Sequence, residues 1–178
     1  MKFIHYFELD HREDGTGIAG TDTVLPYIKP LQACLRCAVF AATLGHGADT
    51  EIRSAFARSP SSGLALDTAA NRNLFELHRK IEEEVLAASG AYIMSVISPG
   101  SCYLDISYQK DIVSILNTIH TTGIFVNDYC VLTPSKTVTG IIGISETPVL
   151  KENQCDTCTH KCEYGRSTKN GITVSNSW

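Results

Sequence analysis

Residues 95–145 read SVISPGSCYLDISYQKDIVSILNTIHTTGIFVNDYCVLTPSKTVTGIIGIS, and the hydrophobic period changes several times along them. AYIMSVIS (91–98) reads as a strand that runs into a Pro-Gly turn, SPGSCYLD. SYQKDIVSILNTIHTTG (107–123) then sets Ile112, Ile115, Leu116 and Ile119 on one helical face. IFVNDYCVLTP and KTVTGIIGIS follow as two β-branched runs parted by a turn at Pro134 and Ser135. Strand, helix and two strands in succession exclude an all-helical or all-β chain.

The same mixture extends upstream. CAVFAATLG (Cys37–Gly45) is a short apolar run closed by glycine, which suits a buried strand better than the helix segment that its pattern alone also allows. Asp49 sits where it caps a helix through TEIRSAFARS, and RSPSSG around Pro60 interrupts the pattern. Leu66, Ala69, Ala70, Leu74, Leu77, Ile81 and Val85 then recur at spacings of three and four, with Gly90 as the stop. Before all of these, DHREDGTGIAGTDTV (10–24) is polar and glycine-rich and reads as a loop, and VLPYIKPLQACLR holds a short helix limited by Pro30.

Composition narrows the function classes. The chain has 178 residues, 43% hydrophobic and 19% charged, a globular balance. A formal charge of -4 and the lack of a Lys/Arg run interleaved with aromatics argue against nucleic acid as a partner. The opening MKFIHYFELDHRED is too short and too charged for a signal peptide, and no apolar run approaches the ~20 residues that span a bilayer, so no membrane partner is expected. A soluble, cytoplasmic protein is the expectation. Seven cysteines in such a chain then read as reduced thiols, some of them metal-binding, in preference to a disulfide framework.

Ser95–Ser145 also carries a resemblance. The SPG turn, the QK that opens a helix and above all PSKTVTGIIGI (Pro134–Ile144) resemble the activation (reactivation) domain of cobalamin-dependent methionine synthase, in particular its stand-alone bacterial relatives. AATLG (Ala41–Gly45), Asp49 and ALD (Ala65–Asp67) fall where those relatives carry similar stretches, so the likeness covers roughly residues 30–166. The resemblance implies an α+β fold, a twisted antiparallel sheet with flanking helices. It also implies a role in reductive reactivation of a cobalamin-dependent methionine synthase or corrinoid protein. In that family S-adenosylmethionine lies in a shallow groove, cobalamin comes with the partner, and flavodoxin or ferredoxin gives the electron. Where the family has an Arg and a Tyr around its Pro-Gly, this chain has Val96 and Ser101. An Arg fork is the natural clamp for a carboxylate, so the departure weighs against S-adenosylmethionine. It leaves as the alternative a non-catalytic module that holds a corrinoid, a metal or another small ligand.

The candidate ligand-binding residues are Ser98, Pro99 and Gly100 in the turn, with Tyr103 as a shifted substitute for the family's ring. In the PSKTVTG run, alternation puts Thr137 and Thr139 on one face and Lys136, Val138 and Gly140 on the other. Either stretch also reads as plain scaffold, a loop and an exposed strand. Cys34, Cys37, Cys102 and Cys130 read as small buried hydrophobes, and the nominal CxxC of the first two lacks a redox context. His46 reads as a surface turn residue. No residue presents itself as a general base or nucleophile.

From Thr147 the periodicity is lost, giving a domain at 1–146 and a Cys-rich tail at 147–178. Cys155, Cys158 and Cys162 have the spacing C-x2-C-x3-C, which lets thiolates converge on one centre. An iron–sulfur cluster or zinc fits, completed by His160, Cys130, Cys102 or an outside ligand. A free-thiol tail that orders on a partner is the other reading.

Overall fold

Three long strands make the frame: β1 (Lys2–His11), β4 (Arg36–Thr43) and β8 (Thr137–Ser145). β4 is central and pairs antiparallel with both, Phe7 facing Cys37 on one side and Gly143 facing Cys37 on the other. Central position explains its composition. Seven of its eight residues are buried, because both faces of the strand are covered. The protein is described from a computed structural model, over residues 1–118 and 123–149.

Around the frame, β2 (Thr16–Ile18) and β3 (Val24–Leu25) extend the sheet beyond β1, and β5 (Tyr92–Ile93) extends it beyond β8. The order is β3-β2-β1-β4-β8-β5, with every pairing antiparallel. α1 (His46–Arg58) and α2 (Pro60–Ser89) follow β4, and α3 (Tyr108–Ile115) follows β5. β6 (Phe125–Val126) and β7 (Leu132–Thr133) form a separate two-stranded hairpin. This is the α+β fold with a twisted antiparallel sheet that the resemblance implied.

Alternation along β4 and β8 divides the core in two. Ala38, Phe40, Ala42, Ile142 and Ile144 pack with Ile81 and Val85 of α2. Cys37, Val39, Ala41 and Ile141 face the other way, under Ile112 and Val113 of α3, Leu116 at its C-cap, and Ile28 and Leu31. These last two belong to a 3-10 turn at Lys29–Ala33 and its N-cap, the short helix expected around Pro30.

Several elements differ from the sequence reading. The polar start hides β1, whose Phe7 and Leu9 pack on the α3 side and Ile4 on the α2 side. Pro60 begins α2 instead of breaking the pattern, since a first-turn proline sacrifices no helical hydrogen bond; only Ser59, extended, parts α1 from α2. Asp49 lies in the first turn of α1, whose N-cap is Gly45, and its carboxylate accepts hydrogen bonds from Ser135. α3 ends early because Asn117 takes a positive φ of 48°, which Asn tolerates better than most residues. The run from Ile124 to Pro134 folds back on itself. There the Asn127 side chain accepts the N–H groups of Tyr129 and Val131, both at 3.0 Å, and makes the tip of the β6–β7 hairpin.

Candidate functional site

The Pro-Gly turn is held by the sheet. Ile97 and Ile141 exchange two backbone hydrogen bonds, both 2.9 Å, so Ser98 leaves the sheet beside Gly140 on β8. Pro99 and Gly100 occupy the middle of the turn, and the Ser101 N–H closes it on the Ser98 carbonyl at 3.0 Å. Gly100 has φ 84°, the value a type II turn demands at this position. Its N–H donates to the Leu104 carbonyl at 2.8 Å, and Ile106 fills the space where a Cβ would be. Asp105 starts α3 by accepting the Ser107 N–H at 2.9 Å; the Ser107 hydroxyl and N–H hold its carboxyl below the usual range.

A second turn, Pro134–Lys136, joins β7 to β8 and is pinned from three elements. Asp49 of α1 accepts the Ser135 N–H at 2.8 Å and its hydroxyl at 2.6 Å. Lys136 pairs with Asp67 of α2 at 2.8 Å and donates to Asn71 at 2.7 Å. The Leu44 N–H and the Thr43 hydroxyl, after and at the end of β4, both donate to the Lys136 carbonyl. Asp49 and Asp67 belong to the short stretches on which the family resemblance rests. Their common role at this junction was not readable from the sequence, where neither has a visible partner.

Among the described residues, four buried side-chain atoms have no hydrogen-bond partner: Ser101 Oγ, Gln109 Oε1, Thr139 Oγ1 and His78 Nε2. The first three belong to the Pro-Gly turn, the first turn of α3 and β8; the Ile97–Ile141 pairing sets the turn beside β8, and α3 packs on the sheet. Thr139 is only 2% exposed. A buried hydroxyl without a partner is costly, so such an atom gains by bonding to a ligand group that reaches it. Gln109 was noticed in the sequence only as part of the helix opening; its carbonyl gave no signal there. His78 lies on the opposite face, stacked 5.7 Å from Phe40, and burial lowers its pKa despite Glu82.

The other expected residues are placed as follows. Thr137 and Thr139 share a face, as alternation requires, and the Thr137 hydroxyl donates to the Pro134 carbonyl at 2.7 Å. Gly140 lies on the α2 side, where a Cβ would come within 2.8 Å of both Phe40 and Val96. Val96, at the family's Arg position, is therefore part of the apolar packing over β8. Tyr103 packs against the α3-side core. Cys34 and Cys37 are fully buried, Cys102 and Cys130 half-buried, and His46 is exposed at the first position of α1. Cys155, Cys158, Cys162 and His160 lie outside the described residues. Two surface clefts, of about 400 Å³ between α1 and α2 and about 570 Å³ around β2, are lined by none of the expected ligand residues. Among the described residues, no helix is long and apolar enough to cross a membrane.

A solved structure shares this architecture: the crystal structure of the MetH reactivation domain bound to AdoHcy, with a TM-score of 0.65 over 83% of this chain. The fold is that of a MetH reactivation domain. Sequence identity is 14%, and the match spans 59% of the length of that chain. No protein-family model matches the sequence, and no curated protein matches it either.

Proposed function

We propose that the chain is an accessory module of corrinoid metabolism that docks on a corrinoid-carrying protein and assists its reductive reactivation. What supports this reading is that three buried polar atoms without a hydrogen-bond partner, Ser101 Oγ, Gln109 Oε1 and Thr139 Oγ1, lie on the Pro-Gly turn, on α3 and on β8, the turn and the strand to which the resemblance assigns the ligand motif. The fold match to a domain bound to AdoHcy supports a ligand of that class. In the proposed reaction cobalt(II) takes one electron from an outside reductant, and the cobalt(I) so formed takes the methyl group of S-adenosylmethionine. Methylcobalt(III) and AdoHcy are the products. The chain's part is positioning, because the reacting groups belong to the two cofactors.

The C-terminal cysteines fit the same reading on their spacing alone. An iron–sulfur cluster on Cys155, Cys158 and Cys162 would supply the electron locally, with flavodoxin or ferredoxin upstream, whereas zinc would only staple the tail.

A second reading is favoured by Val96, which packs on Phe40 and Gly140 in place of a carboxylate clamp. Here the module keeps its fold and a small-ligand site but has no methyl donor. The two are separated by mixing the chain with a cobalt(II) corrinoid protein of its host, S-adenosylmethionine and a strong reductant, and following the absorption of methylcobalamin. Recovery that needs the chain supports the first reading. Association with the corrinoid protein without remethylation supports the second, and neither effect contradicts both.

A further inference from the structure

Gly143 sits near the end of β8, where a glycine weakens the strand unless something must approach its backbone. What approaches is sulfur. A Cβ on Gly143 would lie 2.5 Å from Met94 Sδ and 2.6 Å from Cys34 Sγ, so two sulfurs from different segments reach the same point over the sheet. The third is next to them: Cys37 faces Gly143 across the β4–β8 ladder, and directly opposed side chains start only about 5 Å apart. Cys34 and Cys37 are 0% exposed and Met94 is 3% exposed.

The Cys34 thiol has only a long 3.9 Å contact to the Pro30 carbonyl, and no His, Asp or Glu joins a metal-binding group with it among the described residues. The backbone at Cys34 is fixed instead by His11, whose Nε2 lies 2.7 Å from the Cys34 carbonyl oxygen. The CxxC of the sequence therefore sets Cys34 Sγ beside Met94 Sδ at the Gly143 position, with Cys37 at the register position directly opposite.

We propose that Cys34, Cys37 and Met94 form a binding site for a soft monovalent metal ion, copper(I). Two thiolates and a thioether with no oxygen or nitrogen ligand are the donor set that selects copper(I). Zinc is disfavoured, since it takes four ligands and commonly adds imidazole or carboxylate. Binding exchanges two thiol protons for one metal ion, with no change of oxidation state, and leaves one negative charge on the cluster. Burial pushes the Cys34 thiol to about 11 and, with Cys34 and Glu8 adding to it, the Cys37 thiol to about 12, so the ion must displace both protons and binding weakens in acid. The site is independent of the ligand proposed at the Pro-Gly turn.

The test uses the full chain with Cys155→Ser, Cys158→Ser and Cys162→Ser, which removes the competing tail thiols. Under reducing, oxygen-free conditions it is titrated with copper(I) against a chromogenic copper(I) chelator. One equivalent withdrawn from the chelator is expected, with three sulfur neighbours by X-ray absorption. Met94→Leu, which keeps the packing volume, weakens binding roughly tenfold, and Cys37→Ser roughly a hundredfold. No copper withdrawn, or Met94→Leu binding as tightly as its parent, overturns the site and leaves ordinary core thiols.

Discussion

Asp49 on α1 accepts two hydrogen bonds from Ser135, one from the backbone N–H at 2.8 Å and one from the hydroxyl at 2.6 Å, across 86 residues of chain. Burial by itself raises the Asp49 pKa, but the Ser135 hydroxyl and N–H, the Lys136 N–H and the charge of Arg53 outweigh it and hold it below the ordinary value. A carboxylate with a lowered folded pKa stabilises above its unfolded pKa, about 4, and that contribution is lost as pH falls through the folded value. Asp49→Ala is expected to cost about 1 kcal/mol at pH 7, with the difference from the parent shrinking below about pH 4. Urea unfolding at pH 7 and pH 3 checks this; equal midpoints at pH 7 would contradict it.

The neighbouring pair behaves differently because it is less exposed. The side chains of Lys136 and Asp67 keep 14% and 31% of their exposure, and among the described residues Asn71 is the other hydrogen-bond partner of the ammonium. Removing Asp67 strands a half-buried cation, whereas removing Lys136 removes the charge itself. Asp67→Ala is expected to cost about 2 kcal/mol and Lys136→Met about half as much. A double-mutant cycle by denaturant unfolding measures the coupling, and strictly additive effects would show that the pair contributes nothing.

Gly140 is a packing glycine. A methyl there would press on Phe40 and Val96, each 2.8 Å from the added carbon. Gly140→Ala should destabilise by about 2 kcal/mol, and Val96→Ala in the same chain should recover part of the loss. If the second substitution only adds to the first, the contact does not set the cost.

These residues also show what the sequence made legible. β4, β8 and α2 were readable because burial on two faces leaves an apolar run and burial on one face leaves a stripe at helical spacing. β1 was not, since His5, Tyr6 and Glu8 on its exposed positions dilute the alternation of Phe7 and Leu9. The β6–β7 hairpin depends on one side chain, Asn127, bonding its own backbone, and the early end of α3 depends on the backbone of Asn117. At the candidate site the turn and the β8 stretch were named from resemblance. Their adjacency came only with the Ile97–Ile141 pairing, and Gln109 only with its burial.

On the α2 side, His78 gives the sheet a pH dependence. Its ring lies against Phe40 with Nε2 buried and unpartnered, and desolvation lowers its pKa against the opposing pull of Glu82. The unfolded chain therefore binds the proton more readily, and stability present above about pH 6.5 falls as the pH drops below it. His78→Leu should reduce the loss of thermal stability between pH 7.5 and pH 5.5. An unchanged pH profile would place the acid sensitivity elsewhere.

The most direct test of the candidate site is a calorimetric titration of the full chain with AdoHcy, run in parallel on Thr139→Val. The substitution keeps the side-chain shape and removes a hydroxyl that is 2% exposed and unpartnered. Saturable binding to the parent, weakened roughly tenfold in Thr139→Val while the free variant unfolds no earlier than the parent, is the expected result. No saturable heat at millimolar AdoHcy, or equal affinity in the two proteins, would contradict a ligand of this class at the turn.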